Sequence, residues 1–433
     1  MIAAVVRENY PGEDRVSLIP ASIKPLKKAG LEIIVETGAG AKAGFLDSQY
    51  EEAGAKIVAS RAEAFEQAEI IFQVRSLGAN AEQGAVDLDL VKPGQFIIGS
   101  CDPLGNPQAI QQMADKGAIQ FALEMIPRIT RAQSMDVLSS QATIAGYRAV
   151  LLAATQLPKM FPLMMTAAGT LKPARVFVVG AGVAGLQAIA TAKRLGAVVQ
   201  AYDVRPVVKE QCESLGAKFV ELALENEGAE DKGGYAKQQG EEYYQKQREL
   251  MADVVAESDV VITTAAIPGR PSPLLVIEDG VRRMAPGSVI IDLAAERGGN
   301  VEPSVADETV IVHDVTIMGP TNLPAEIPNH ASQMLSNNIT KFLLNMVKDG
   351  AIDLNLEDEI VAGTLVANDG QVTNARIRDI LGLEPLEVPE EPAEEESAET
   401  EEPADNKIAF DEDDATSETE ESDSATEGEK NND

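Results

Sequence analysis

Residues 175–205 read RVFVVGAGVAGLQAIATAKRLGAVVQAYDVR, and this stretch decides the fold. Arg175 to Val179 is an apolar run of the length of a buried parallel strand. Gly180-Ala181-Gly182-Val183-Ala184-Gly185 then fits G-x-G-x-x-G, followed by a helical run through Arg194. In that setting the first glycine permits a tight turn and the second lets backbone approach a pyrophosphate. The third lets helix and strand pack closely, with the helix N-terminus toward the phosphates. A second strand, Ala197 to Tyr202, ends on Asp203, 18 residues beyond Gly185 and 23 beyond Gly180. A carboxylate there can accept both ribose hydroxyls of NAD and repels the 2′-phosphate of NADP. Arg205 stands close enough to anchor that phosphate instead. The place of Asp203 at the strand tip favours NAD(H).

Working outward, short apolar runs alternate with helical patterns, as in stacked βαβ units. Before the fingerprint the expected strands are Met1–Val6, Glu32–Glu36, Ile70–Val74, Gln95–Gly99 and Ala118–Ala122. Helices are expected around Ala21–Ala29 and Gln108–Lys116. After the fingerprint come Lys218–Leu222, Val260–Ala265, Ser288–Leu293 and Val310–His313. Two consecutive series predict an α/β protein of two Rossmann-like, doubly wound domains separated by a cleft. Long helical patterns at Val137–Leu157 and Glu326–Val347 can cross between them. The expected first domain is therefore discontinuous, 1–137 with 326–383, and the second spans 138–325. Gly38-Ala39-Gly40-Ala41-Lys42-Ala43-Gly44 follows the second strand, lacks the third glycine of the pattern, and reads as an ordinary turn.

The formal charge of −34 over 433 residues is unevenly placed. From Glu384 on there are 22 acidic residues and two lysines, a net −20 over 50 residues, which leaves −14 for the rest. That tail is rich in Pro, Ser and Thr and is expected to be disordered, as a solvating extension or a partner-binding segment around Ile408-Ala409-Phe410. An acidic surface repels phosphate backbones, so nucleic acid is disfavoured as a partner. Cys101 and Cys212 make no disulfide framework, and two cysteines with two widely spaced histidines make no metal cluster. The first residues carry no signal-peptide pattern and no stretch is apolar enough for a membrane span, so the expectation is a soluble intracellular chain.

Five segments carry a family resemblance: the fingerprint itself, Pro127–Gln141 (PRITRAQSMDVLSSQ), Gly233-Gly234-Tyr235-Ala236-Lys237, Ser288–Asn300 (SVIIDLAAERGGN), and the N-terminal Pro11-Gly12-Glu13-Asp14-Arg15-Val16. They resemble the NAD(H)-binding components of proton-translocating NAD(P) transhydrogenases, with alanine dehydrogenases as more distant relatives of the same layout. The resemblance covers Met1 to about Leu383. It implies a homodimer that binds NAD(H) and docks onto an NADP(H)-binding partner, with proton movement through membrane-spanning subunits. Localisation would be cytoplasmic, held at the inner membrane by those partners. By the same resemblance Arg128 and Ser139 hold the nicotinamide carboxamide, Gln133 reaches toward the partner's nucleotide, Asp136 orders that loop, and Tyr235 rides on a mobile lid. Ile129, Gly180, Gly182, Val183, Gly185, Asp203, Val204, Arg205, Gly234, Gln247 and Ala266 complete the expected NAD(H) site. The family usually carries a larger apolar residue where Ala266 stands. Phe161–Val176 is expected as a hairpin, through dimer contacts or as ordinary core.

The residues themselves are compatible with this. Direct hydride transfer needs no general acid or base, only two reacting carbons held near contact in a dry site. Arg128, Gln133, Asp136 and Ser139 supply amide-directed hydrogen bonds without proton chemistry; an interdomain salt-bridge loop of Arg128 or Arg131 with Asp136 is the plainer alternative. Asn226 to Gln247 is a polar insertion that reads as a lid or as a surface loop. An amino-acid dehydrogenase of the alanine type is the rival. The lysine and histidine that handle protons in those enzymes align with Gln73 and Ser100, although Arg15 is retained. A non-catalytic NAD sensor would keep the glycines and Asp203 without the polar loop.

Overall fold

The computed structural model describes residues 1–222, 241–267 and 269–386, apart from the side chains of Glu241 and Tyr244. The first series builds β1 (Ile2–Val5), β2 (Glu32–Glu36), β3 (Lys56–Val58), β4 (Ile70–Arg75), β5 (Phe96–Ser100) and β6 (Ile119–Ala122), all paired in parallel. β4 is buried over Ile70 to Val74, which fits a strand covered on both faces. A hairpin, β7 (Met164–Thr166) and β8 (Gly169–Leu171), then stands out from the body, with Met165 77% exposed.

The fingerprint opens the second sheet: β9 (Arg175–Val179), β10 (Val198–Tyr202), β11 (Lys218–Phe219), β12 (Val260–Thr263), β13 (Val289–Asp292), β14 (Thr309–Val312) and β15 (Val315–Met318). Its order is β11-β10-β9-β12-β13-β15-β14, parallel except at the β14–β15 edge. After a small hairpin of β16 (Val347–Lys348) and β17 (Ala351–Ile352), the chain adds β18 (Leu365–Asn368) and β19 (Gln371–Val372) antiparallel to the first sheet. That sheet then reads β19-β18-β6-β5-β4-β1-β2-β3. Both sheets reverse direction of winding beside their first strand, which places a crevice at that point of the carboxyl edge.

The Val137–Gln156 helix links the two series. Asp136 caps it, accepting from the Ser139 amide at 2.9 Å. The helix packs on the Val183–Arg194 helix through small residues. At Gly146 an added Cβ would stand 2.0 Å from the Ala184 carbonyl oxygen, so only glycine permits that approach. The Pro328–Met346 helix buries Leu335, Ile339, Phe342 and Leu343 against the first sheet, with Phe342 edge-on to Phe121 at 5.6 Å.

Several expected boundaries shift. The Val260–Ala265 strand stops at Thr263: the Thr264 amide makes the last bond to β9, at the Val179 carbonyl, and the Ala265 N–H turns to the Asn300 side chain at 3.0 Å. The Lys218–Leu222 strand shortens to Lys218–Phe219. Gln247 does not close a loop; it lies within the Glu241–Ala256 helix. There it heads a buried stripe with Met251 and Val255 at helical spacing, and a polar first member hid that stripe in the sequence. The small strand β3, the β18–β19 return and the short helices Asp47–Ala53, Arg61–Gln67 and Ala81–Asp87 were not anticipated. The expected lid residues Gly233, Gly234 and Tyr235, and the tail beyond residue 386, lie outside the described residues.

Candidate functional site

The site begins where β9 ends. Gly180 adopts φ +93°, a left-handed conformation open to glycine, and its N–H donates to the Tyr202 carbonyl at 2.8 Å. A Cβ on Gly185 would lie 1.9 Å from the Gly180 carbonyl oxygen, so that glycine lets the helix sit against the turn. Gly182 has nothing within 4 Å of its Cβ position, and as N-cap of the Val183–Arg194 helix it offers no capping side chain. Amides of the first helical turn therefore remain for an outside acceptor, and the helix dipole favours an anion there.

Asp203 stands at the tip of β10, 8% exposed. Its Oδ2 accepts from the Ala181 amide at 2.7 Å, which ties the carboxylate to the glycine turn. Arg205 folds back onto it, donating from its amide (2.9 Å) and Nε (3.0 Å) to Oδ1 and from Nη2 (3.0 Å) to Oδ2. Four donors on two oxygens fill the carboxylate's acceptor positions. A ribose diol can reach Asp203 when the Arg205 guanidinium gives up its two places. The same pairing neutralises the arginine that could have anchored a 2′-phosphate.

A cavity of about 580 Å³ runs from these groups to the start of the Val137–Gln156 helix. Of the residues expected from the sequence, it is lined by Arg128, Ser139, Gly180, Gly182, Val183, Asp203, Val204, Arg205, Gln247 and Ala266. Gly185 lies behind the wall as a packing residue. Asp136 also stays outside the lining: it holds the amide and the hydroxyl of Ser139, the latter at 2.5 Å, and so orients a residue that does line it. Ile129 packs against the first core, and Gln133 is exposed on the Thr130–Met135 turn. Arg131 does not pair with Asp136. Its guanidinium grips Asp358 (2.6 and 3.1 Å) and Asn345 (3.1 Å), which holds that turn to the first sheet's side and keeps the Asp358 carboxyl below its usual range.

Gln247 is fully buried and donates from Nε2 to the Tyr202 hydroxyl at 2.9 Å, while burial, foremost, pushes the Tyr202 phenol up. The sequence reading missed Thr264, Ala265 and Pro273, which form the wall beside β12. The signal was available for the first two: they follow a strand at the same carboxyl edge as Ala266. Thr264 donates from Oγ1 to the Gly180 carbonyl at 3.0 Å and so braces the turn. No histidine, lysine, glutamate or cysteine lines the cavity among the described residues. Among the described residues no cluster of side chains could hold a metal ion, and no helix is long and apolar enough to cross a membrane.

The residues bearing on the rival reading lie at the first sheet. Arg15 is 7% exposed and closed in by Glu13 at 2.6 and 2.7 Å, Gln141 at 2.8 Å and Asn322 at 3.2 Å. Gln73 is buried and spends its amide on Asp87 at 2.8 Å.

Comparison with known proteins matches residues 4–145 to the alanine dehydrogenase/PNT N-terminal domain and residues 149–375 to the C-terminal domain of the same family. The chain is 46% identical to an NAD(P) transhydrogenase alpha-subunit chain of Rhodospirillum rubrum over 377 residues, 86% of this chain and 98% of that one. The solved transhydrogenase structure from Sinorhizobium meliloti superposes with a TM-score of 0.75 at 42% identity, covering 87% of this chain and 99% of that one. Alanine dehydrogenase of Bacillus subtilis is 27% identical over 89% of this chain and 96% of its own length.

Proposed function

The chain belongs to the alanine dehydrogenase/PNT family, and from that premise we propose that it is the NAD(H)-binding subunit of a proton-translocating NAD(P) transhydrogenase. It passes hydride directly between NADH in this cavity and NADP+ held by a partner domain, coupled to proton movement through membrane-spanning subunits. The observation that carries this reading is one cavity. It joins the glycine turn and Asp203 to Arg128 and Ser139, and its described lining offers no histidine or lysine for proton transfer.

The residues present fit a dinucleotide. Gly182 leaves open space where a side chain would stand, the helix amides behind it are uncapped, and about 580 Å³ is within the range of cofactor pockets. The nucleotide supplies the hydride chemistry. The chain's own part is to bind the pyrophosphate on amides of the turn and the adenosine ribose on Asp203. Arg128 and Ser139 orient the far end, and Val179, Val183 and Leu186 help exclude water. Tyr235 and Gly234, as lid residues, and Gln133, as the group reaching toward the partner, belong to the same proposal. So do a division of the chain at 137/138 and 325/326, NAD(H) on this chain with NADP(H) on the partner, and a homodimer in which the exposed β7–β8 hairpin takes part.

The test is reconstitution with an NADP(H)-binding domain, following oxidation of NADH by an NADP+ analogue. Arg128→Ala should slow transfer by more than it weakens NADH binding, because orientation matters most at the reacting carbons. Turnover of alanine with NAD by the chain alone would replace this reading with the dehydrogenase one.

A further inference from the structure

Behind the β12 wall of the cavity stands Asn300, fully buried. Its side chain holds the backbone of Ala265 at both polar atoms: Oδ1 accepts from the Ala265 N–H at 3.0 Å, and Nδ2 donates to the Ala265 carbonyl at 2.8 Å. The second Nδ2 hydrogen goes to the Pro273 carbonyl, also at 2.8 Å. One amide thus ties together two separate segments, and Ala265 and Pro273 both line the cavity. Asn300 is itself held from behind. Its N–H donates to Asp292 Oδ2 at 3.0 Å, and Asp292 Oδ1 accepts from Thr263 at 2.8 Å and from the Ala294 amide at 3.0 Å. Asp292 is fully buried at the end of β13, where burial raises its carboxyl above the ordinary value against those hydrogen bonds.

This brace lies on one side of the crevice. Asp203 ends β10, on one flank of β9, whereas Thr264 and Ala265 follow β12, on the other flank. In a doubly wound sheet a dinucleotide bridges the two flanks, with its adenosine half toward the acidic residue and its other half across the reversal point. We propose that Asn300 is a positioning residue that sets the cavity half opposite Asp203, so that it governs how the nicotinamide riboside half is held without touching it. This rests on the reading of the cavity as an NAD(H) site. Without Asn300, the Ala265 amide and carbonyl and the Pro273 carbonyl lose their partner, and the wall has no single geometry to present. The adenosine half keeps every group it uses: the glycine turn, Asp203 and Arg205 make no hydrogen bond to Asn300.

The test is calorimetric titration of the whole chain with NADH and, separately, with ADP, which carries adenosine and pyrophosphate but no nicotinamide. Asn300→Ala, and the milder Asn300→Ser, should weaken NADH about tenfold, the cost of one or two buried hydrogen bonds. ADP affinity should stay within about twofold of the unaltered chain, which also certifies the fold. Equal losses for the two ligands, or no loss of NADH affinity, would overturn the assignment. Should neither variant fold, amide exchange in the unaltered chain decides: the Ala265 amide should exchange as slowly as the β12 ladder amides, and fast exchange overturns the brace. Failure of the unaltered chain to bind NADH, with Ala265 protected, would instead remove the NAD(H) reading while leaving the brace in place.

Discussion

The two sheets share the order 3-2-1-4-5 counted within each, yet the segments at their reversal points are built in opposite ways. In the second, β9 runs into a glycine turn in which Gly180 and Gly182 line a cavity and the Cβ position of Gly182 stands empty. In the first, the chain after β1 brings its own carboxylates. Glu8 accepts from the Val74 and Arg75 amides at 2.6 and 3.2 Å, and Glu13 is clasped by Arg15, with Arg75 3.4 Å away. One topology offers a crevice at both places, and local side chains decide whether an outside anion or an internal one meets the donors. Glycine leaves both the space and the amides, whereas a glutamate supplies the charge that a ligand would otherwise bring.

The largest expected break of this contrast is Glu13→Gln. It leaves a buried guanidinium without its counter-charge and should cost about 3–5 kcal/mol in urea unfolding at neutral pH. Burial alone would raise the Glu13 carboxyl, but hydrogen bonding and charge from Arg15 override it and hold it at about 2, below the ordinary 4.5. A depressed acid contributes its stabilisation in full above its unfolded value and loses it as pH falls through the folded one. About 3 kcal/mol should therefore disappear between pH 4.5 and pH 2. A gap between the two proteins that persists undiminished at pH 2 would break the assignment.

Next come the two glycines of the open turn. Gly185→Val places a side chain on the Gly180 carbonyl and should destabilise by about 3 kcal/mol while abolishing NADH binding. Gly182→Ala meets nothing and should leave the melting temperature unchanged, with the loss confined to NADH affinity. If both lower the melting point alike, the turn is a packing device and not a phosphate cradle. Asp203→Asn should weaken NADH about tenfold and narrow its advantage over NADPH, since Arg205 then loses its counter-charge. Fluorescence titrations with both nucleotides measure this, and unchanged affinities would sink the ribose role.

The last prediction sharpens the first sheet's side. Burial, foremost, pushes the Glu8 carboxyl up to about 8 against the hydrogen bond from the Val74 amide. A raised acid weakens the fold as pH climbs from its unfolded value through the folded one. Glu8→Gln should thus behave like the unaltered chain at pH 4 and be relatively more stable at pH 9. Parallel stability curves over that range would refute the raised value.

The fingerprint was legible because its constraints are local. Strand, turn, helix and second strand lie within 31 residues; β9 has the bounds read for it, Arg175–Val179, and β10 begins one residue inside the expected Ala197–Tyr202. Weakly patterned segments were not legible. Lys56–Val58 is only three residues long, and β18 earns its place by antiparallel pairing with β6, more than 240 residues earlier. Gln247 was found as a residue but misplaced as an element, because its helix buries a polar group at the head of its stripe.

What the sequence alone determined is the class and the cofactor chemistry: two α/β series, a glycine turn, a carboxylate at the next strand tip, and a polar segment from Arg128 to Ser139. What tertiary structure decided is which of these face one cavity. Asp136 and Gly185 stand behind the wall, Arg205 rests on Asp203, Arg131 turns away to Asp358, and Asn300 braces Ala265 from 35 residues downstream. The reason is physical. Periodicity and turn chemistry act between neighbours in the chain, whereas the direction of a buried polar side chain is set by donors and acceptors that only folding brings near.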